Sequence, residues 1–267
     1  MKAVNFKKID LVEYNKDWPK IFQEQEKEIK HILSGNVKEV YHVGSTSVKG
    51  LKAKPVIDVI CEVLDQIKTI EPLKKAGYDF KGEINLPFRL YFSRKIPHHV
   101  HLKVCKVSSV HVEQQLIFRN FLNQNFKEAK EYSDLKQKII DGSNGNFKMV
   151  GDMFSEYTLR KANFISKILD KAGFVGKKLA IAIHDEEIKA FKKFLPDVEV
   201  TFPQSTECVY VLFLKGTEAV GAALLKSSCE EGDKIVQIKA CNKENERDFL
   251  NRIHEWLDFR SKLLKNI

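Results

Sequence analysis

Residues 41–63 constrain the fold more than any other part of the chain, because they join two apolar, strand-like runs through a Gly-Ser loop. A tight turn at Gly44-Ser45 would point backbone N–H groups outward, and the resulting concavity suits phosphate oxygens. Asp58 lies on the second run, thirteen positions after Ser45. A carboxylate that faces a phosphate loop is the usual means of holding the divalent ion that phosphate chemistry needs. The segment therefore predicts a phosphate loop with Mg²⁺ at Asp58.

The composition limits the class of protein. A chain of 267 residues can bury a core in one large domain or in two modest ones, and we predict two. The formal charge of +9 suits an anionic ligand, but no dense basic tract stands out, which argues against nucleic acid as a partner. Five scattered cysteines without a CxxC pair, and no apolar run long enough to cross a bilayer, predict a cytoplasmic protein without a membrane partner.

The hydrophobic pattern predicts an α+β fold in two domains, residues 1–172 and 175–267, separated by a Gly- and Lys-rich junction at 171–178. The first is predicted as a mixed sheet with flanking helices and a helical C-terminal half. Its predicted strands are 9–14, 37–43, 55–63, 89–93 and 99–107, and its predicted helices are 17–35, 65–76 and a largely helical stretch over 112–171. In the second domain the predicted strands are 179–183, 198–202, 209–215, 219–226 and 234–239, and the predicted helices are 185–195 and 244–264.

Polar side chains on a second strand accompany Asp58. Because strand side chains alternate, His99, His101 and Lys103 share one face. Imidazoles can ligate a metal, bond a phosphate or accept a proton, and a lysine neutralises phosphate charge. Arg89 and Arg119 could each fork onto phosphate oxygens or form a structural ion pair, and the residue types leave both roles open.

Six motifs recur in the order and spacing of a known family. They read DLVEYNKDWPKIFQEQE (10–26), HVGSTSVKGLKAKPVIDV (42–59), GEINLPFRLYF (82–92), HHVHL (98–102), FRNFL (118–122) and EYTLRKANFI (156–165). Over nearly all of residues 5–172 the chain resembles the GrpB family. That resemblance implies a nucleotidyltransferase-like fold.

The resemblance also implies roles for individual residues. It makes Gly44, Ser45 and Thr46 the phosphate loop, and Lys54 and Asp58 the start of the metal strand. The polar cluster that it implies around them consists of Glu83, Arg89, His99, His101 and Arg119, with Tyr157 and Lys161 on the closing helix. Asp58, His101 and Glu83 are the implied catalytic residues, and Asp58 the implied metal ligand.

One departure from the wider nucleotidyltransferase pattern concerns metal chemistry. Ile60 stands where a second strand carboxylate is expected, and Glu62 on the same face lies about 13 Å from Asp58, which is too far to share an ion. Either Glu83 or His101 could complete the site.

These residues predict a protein that binds a nucleoside triphosphate and Mg²⁺ and transfers a nucleotidyl group to an unknown acceptor by in-line attack on the α-phosphate. One alternative is a catalytically silent nucleotide-binding or sensing module, and another is an interaction protein that acts through residues 175–267. That second domain weakly resembles part of an N-acetyltransferase. Residues 239–245 lack the glycine turn with which such enzymes bind a pyrophosphate, so we expect a degenerate version.

Overall fold

A computed structural model describes residues 6–150, 154–182, 184–200, 208–228 and 232–267. The chain divides into two units. The first consists of the residues up to Gly82 and of Arg89–Phe174, and the second of Glu83–Phe88 and Val175–Ile267. The six-residue loop Glu83–Phe88 therefore belongs to the second unit, although its sequence neighbours on both sides belong to the first.

The first unit is a mixed α+β unit, as predicted. Its strands are β1 (Phe6–Lys8), β2 (Val37–Val43), β3 (Ile57–Val63), β4 (Asp79–Phe80), β5 (Arg89–Arg94), β6 (Val100–Lys106), β7 (Asn146–Val150) and β8 (Phe154–Ser155). Its helices are α1 (Trp18–Ile32), α2 (Ile70–Lys75), α3 (Val110–Gln124), α4 (Phe126–Asp141), α5 (Glu156–Leu159) and α6 (Ala162–Lys171).

A five-stranded sheet in the order β2-β3-β6-β5-β4 organises this unit. Strands β3 and β6 run parallel, with Asp58 opposite His101, while β2 and β5 pair antiparallel on either side of them. Residues Val59, Cys61 and Val63 alternate with the side chains of the Asp58 face, and all three are fully buried. Such near-continuous burial is typical of a central strand that is covered on both faces.

Helices cover the two faces of this sheet. On the Asp58 face, Ile60 and Cys105 pack with Val112 of α3. On the opposite face, α1 contributes Phe22, whose ring stacks on His42 at 4.8 Å between centroids. Helix α1 starts at Trp18 because Pro19 occupies its first turn, where a missing N–H costs nothing.

Two predictions for the first unit are wrong in detail. The stretch predicted as mainly helical contains strand β7, which pairs with β1, because Phe147 enters the core while its neighbours Asn146 and Lys148 stay exposed. The predicted strand at 9–14 is a single β-bridge, Val12 to Ala53, and the β1 strand ends before it at Lys8.

The second unit is a four-stranded antiparallel sheet with one helix on each face. Its elements are β9 (Lys177–Ile181), α7 (Asp185–Lys192), β10 (Cys208–Lys215), β11 (Glu218–Ser228), β12 (Gly232–Ala240) and α8 (Lys243–Leu264), and its strand order is β12-β11-β10-β9. Alternation along β10 sends Val211 and Phe213 to α8, and Tyr210 to α7. The predicted strand at 198–202 is not formed at residues 198–200, and its last two residues lie outside the described part of the chain.

None of the helices in the described ranges combines the length and the apolar character that a bilayer-spanning helix requires.

Candidate functional site

The Gly44 loop, residues 44–47, directly follows strand β2. Gly44 has φ 72° and ψ −170°, a conformation that favours glycine, and a short 3-10 turn follows at Ser45–Ser47. A Cβ atom added at Gly44 would lie 2.5 Å from Oδ2 of Asp58. The loop backbone and the Asp58 carboxylate are therefore in direct contact, and only glycine allows that approach.

Two predicted phosphate ligands, Thr46 and Arg119, make hydrogen bonds at the Gly44 loop. The Thr46 hydroxyl donates to the carbonyl of Val56 at 3.2 Å and lies 3.0 Å from Nε2 of His42. The guanidinium of Arg119 donates to the His42 carbonyl at 2.9 Å and also to the side chain of Asn120. These contacts fix the end of β2 and the turn after it, and the phosphate-binding roles of both residues stay predictions.

Asp58 lies at the start of β3, next to two cationic or potentially cationic side chains from β6. The ammonium of Lys103 donates to Oδ1 of Asp58 at 3.0 Å, and Nδ1 of His101 is 3.7 Å from the same oxygen. Burial alone would raise the pKa of Asp58, but the charge of Lys103 and the neighbouring His101 hold it well below its ordinary value. Asp58 is therefore an ionised carboxylate that already has a cation beside it.

Helix α4 contributes a buried lysine to the other end of the Gly44 loop. The ammonium of Lys136 donates to Oγ of Ser45 at 3.2 Å and to the carbonyl of Lys52, and it lies 4.8 Å from the ring centre of Tyr132. The residue is 1% exposed. Burial, and to a lesser degree the charge of Lys54, lowers the pKa of Lys136 to about 7.

Two more lysines share the ring of Tyr157. The ammonium of Lys161 lies 4.2 Å from the ring centre and that of Lys54 lies 5.3 Å from it. Burial, followed by the charges of Lys54 and Lys136, lowers the pKa of Lys161 to about 7. The pKa of Lys54 is also lowered by burial, which the nearby Asp58 partly offsets.

Lys54, Lys136 and Lys161, here called the lysine cluster, have no carboxylate within ion-pair distance among the described residues. After burial, the charge of Lys54 lowers the pKa of Lys136, and the charges of Lys54 and Lys136 lower the pKa of Lys161, because like charges repel one another. Among the described residues, Asp58 is the carboxylate whose charge opposes those of Lys54 and Lys161, and it is already paired with Lys103. The arrangement has an uncompensated positive charge that an anion would neutralise.

His99 immediately precedes β6, and Arg89 is the first residue of β5. The His99 ring lies 4.9 Å from that of His101, and burial together with the His101 charge lowers the pKa of His99 to about 4, so that it is neutral at pH 7. Arg89 is buried, and its Nε has no hydrogen-bond partner among the described residues. Burial lowers the pKa of Arg89, while Asp58 is among the groups that raise it.

Glu83 is not placed with these residues. It belongs to the second unit, where its carboxylate accepts hydrogen bonds from the indole Nε1 of Trp256 at 3.0 and 3.2 Å and from the backbone N–H of Phe88 at 2.5 Å. Burial raises the pKa of Glu83 although these donors act against it. Its contacts make it a structural anchor of the loop Glu83–Phe88, and they give no support to its implied catalytic role.

Sequence reasoning missed Lys136. The signal that could have found it is helical spacing: the buried residues of α4 include Ala129, Tyr132, Lys136 and Ile139, which recur at intervals of three and four. A lysine on the apolar face of an amphipathic helix needs a reason, and here the reason is the Gly44 loop. Lys103 was placed on the correct face but not chosen as a site residue.

The groups around Asp58 do not fit a protein-bound magnesium ion. Mg²⁺ prefers oxygen ligands in an octahedral arrangement, often with waters and phosphates, whereas Asp58 is flanked by an ammonium and an imidazole. Within the described ranges, no group of three or more His, Cys, Asp or Glu side chains is arranged to hold a metal. The Mg²⁺ predicted at Asp58 finds no second carboxylate here.

Comparisons with known proteins fix the family. The family model described as GrpB protein matches residues 8–171. The chain belongs to the GrpB family. The similarity includes the Gly44 loop, Asp58, His101 and the lysine cluster, which all fall in the matched residues.

Named relatives agree with the family assignment. The glutamate-rich protein GrpB of Alkalihalophilus pseudofirmus is 28% identical over 184 residues, which cover 64% of this chain and 99% of that one. The UPF0157 protein YqkA of Bacillus subtilis is 32% identical over 139 residues, 50% of this chain but only 40% of YqkA. The match thus spans less than half of YqkA.

A solved structure of the same family also resembles this chain. The crystal structure of the conserved protein GrpB from Enterococcus faecalis has a TM-score of 0.53 at 30% identity and covers 61% of this chain and 96% of that one. Cid1 in complex with the UTP analogue UMPNPP has a TM-score of only 0.30 at 12% identity, over 47% of this chain and 41% of that one. A likeness that low carries no argument about function.

Proposed function

We propose that the first unit binds the phosphate chain of a nucleoside triphosphate in the pocket between the Gly44 loop and the lysine cluster. The observation that carries this proposal is the surplus of positive charge: Lys54, Lys136 and Lys161 lie near one another, and Asp58, the carboxylate that acts on them among the described residues, is paired with Lys103. A triphosphate carries several negative charges along a short chain. It would therefore offset the repulsion that, after burial, lowers the pKa of Lys136 and Lys161.

The Gly44 loop supports the same proposal from the backbone. Its glycine conformation and the 3-10 turn after it leave a short run of main chain beside Lys136, which already donates to Ser45. Backbone N–H groups in such turns bind phosphate oxygens, and an ammonium next to them adds charge. The loop and Lys136 would hold one phosphate together.

Binding without turnover is the form of this function that the geometry supports better. Ile60 is fully buried among apolar side chains, and Asp58 has an ammonium on one of its oxygens. Nucleotidyl transfer to an unknown acceptor, with Mg²⁺, is the second candidate. What favours it is His101, whose Nδ1 lies 3.7 Å from Asp58 in a position to move a proton.

The test of binding is isothermal titration calorimetry with ATP, GTP, CTP, UTP and inorganic tripolyphosphate. Wild-type protein is expected to bind triphosphates, and Lys136→Met is expected to weaken binding about tenfold or more, since it removes one charge-assisted hydrogen bond. Lys138→Met is the matched control, because Lys138 is exposed on the same helix. Equal loss in both variants, or no binding by wild type, would refute the proposal.

Turnover is measured separately. Incubation with α-³²P-labelled triphosphates and Mg²⁺, in the presence of cell extract as a source of acceptor, would transfer label under the second candidate, and Asp58→Asn would abolish the transfer. Retained, unconsumed nucleotide in every lane would leave the protein as a binding or sensing module.

Location in the reducing cytoplasm is also proposed. Four described cysteines, Cys61, Cys105, Cys208 and Cys241, are free, and the first two are buried in the five-stranded sheet. Unpaired buried thiols are typical of proteins from reducing compartments. Partner capture through the second unit stays a prediction.

A further inference from the structure

The position of Lys103 on the sheet is set by strand register. Strands β3 and β6 are parallel, so Asp58 lies opposite His101 and Ile60 lies opposite Lys103 on the same face. Lys103 therefore stands diagonally across from Asp58, one step further along the neighbouring strand. A flexible four-carbon side chain reaches back over that distance and places its ammonium on the carboxylate.

The carboxylate of Asp58 is occupied on both sides. Oδ1 accepts a hydrogen bond from Lys103 at 3.0 Å, and Oδ2 faces the Gly44 backbone so closely that a Cβ there would lie 2.5 Å away. The Lys103 side chain is 11% exposed, against 26% for Asp58. A buried ammonium needs a counter-ion, and Asp58 is the one carboxylate that the described contacts give it.

The surroundings of Asp58 also disfavour a second cation. Ile60, on the same face, offers no ligand, and the charges of Lys54 and Lys161 act on the same space. A divalent ion would have to displace the Lys103 ammonium and would then bind next to further positive charge. A lysine fixed in the fold supplies the opposing charge without any exchange with solvent.

We propose that the ammonium of Lys103, and not a divalent metal, is the resident cation at Asp58, so that this pocket takes a phosphate chain in its metal-free form. The metal-free form carries more negative charge than the magnesium complex, and the lysine cluster matches that charge. The statement about the cation concerns Asp58 alone, whereas the statement about the ligand's form rests on the proposed function.

Ligand-free protein provides the first test. Titration with Mn²⁺, followed by electron paramagnetic resonance, is expected to show the same number of bound ions in wild type and in Asp58→Asn. One tightly bound Mn²⁺ per chain that Asp58→Asn removes would overturn the proposal. This readout requires no nucleotide, so it decides the question even if triphosphates do not bind.

Calorimetry with ATP in EDTA and in Mg²⁺ provides the second. The Kd in EDTA is expected to equal the Kd in Mg²⁺ or to lie below it. Binding that appears only with Mg²⁺ would overturn the metal-free site and leave the proposed function standing. Absence of binding in both buffers would refute the proposed function and with it the ligand's form, while the Mn²⁺ result would still report on Asp58.

Variants of Lys103 separate charge from structure. Lys103→Gln is expected to weaken ATP binding in EDTA about tenfold or more, equivalent to about 1.4 kcal/mol, and Mg²⁺ should restore part of the loss. Lys103→Arg keeps the charge and should bind in EDTA like wild type, and Lys106→Gln, at an exposed position of the same strand, is the control. Melting temperatures establish that each variant is folded. An unchanged Kd in folded Lys103→Gln would contradict the proposal.

Discussion

In the first unit, the three lysines of the lysine cluster lie near Asp58, a carboxylate that is already paired with Lys103, whereas in the second unit the buried carboxylate of Glu83 accepts hydrogen bonds from Trp256 and from the backbone of Phe88. The first unit also contains a buried cation that is paired with a carboxylate. Arg94 donates to both carboxylate oxygens of Glu28 at 2.6 Å and to Gln25 at 2.6 Å. Buried charge without an opposite partner is therefore a feature of the lysine cluster and not of the first unit as a whole.

Buried charge with a full set of partners is a structural feature, because leaving a donor or acceptor unpaired costs free energy of unfolding. Buried like charges without opposite partners reduce that free energy, and a fold retains them where a ligand supplies the missing charge. By this criterion, the hydrogen bonds of Glu83 and the ion pair of Arg94 with Glu28 stabilise the protein, and we expect the lysine cluster to bind the proposed triphosphate. Substitutions in the two regions should therefore separate effects on the free energy of unfolding from effects on triphosphate affinity.

The largest expected effect comes from Gly44→Ala. Its Cβ would meet Oδ2 of Asp58 at 2.5 Å, and the φ of 72° adds strain for any residue with a side chain. We expect a loss of about 2–3 kcal/mol in the free energy of unfolding and of most triphosphate affinity. Urea unfolding and calorimetry measure the two.

Gly50→Ala is the matched control for that substitution. Gly50 has φ 78° with no atom within 4 Å of the added Cβ, so it pays only the backbone strain of about 1–2 kcal/mol. If both alanine variants lost the same free energy of unfolding and bound triphosphate with the same affinity, the close contact between the Gly44 loop and Asp58 would contribute nothing to binding.

A smaller effect is expected from Glu83→Ala. It leaves the N–H groups of Phe88 and Trp256 without their acceptor, at a cost of about 2 kcal/mol, while triphosphate affinity should stay at the wild-type value. Hydrogen exchange should be faster in the second unit. Glu255→Ala, which removes an exposed carboxylate from the same helix as Trp256, should change neither quantity. A fall in affinity with unchanged stability would return Glu83 to the candidate site.

The smallest expected effect is the pH dependence. Free Lys136 and Lys161 have pKa values of about 7, and a bound anion raises both, so binding takes up protons above pH 7. Affinity should therefore fall as the pH rises from 7.5 to 9, by at most about tenfold per pH unit for each lysine. Calorimetry in buffers of different ionisation enthalpy counts the protons, and Lys136→Met should reduce the count.

The same pKa values set the sign for the stability of the free protein. In the unfolded chain these lysines keep their protons up to about pH 10.5, so between pH 7 and 10.5 the unfolded state binds more protons than the folded state. The free energy of unfolding contributed by these lysines should therefore rise with pH over that window. Urea unfolding at several pH values checks the direction, and a fall over the window would show that the lysines remain charged in the free protein.

Local sequence patterns were sufficient for most elements. The strand Val37–Val43 was predicted at its observed bounds, because β-branched residues and a terminal glycine leave little choice. Helix α8 and the hairpin of β10 and β11 lie within a residue or two of their predicted bounds for similar reasons. Strand β7 was missed because it is formed by pairing with β1, about 140 residues away in sequence, as Phe6 lies opposite Lys148.

The candidate site divides in the same way. The sequence by itself determined that the chain has a glycine at the end of β2 and one aspartate at the start of β3, since turn conformation and strand alternation are local properties. Only the tertiary structure decided which charges meet there. It brought Lys136 of α4 to the Gly44 loop, put Lys103 on Asp58, and assigned Glu83 to the second unit, because these encounters depend on packing between elements that are far apart in the chain.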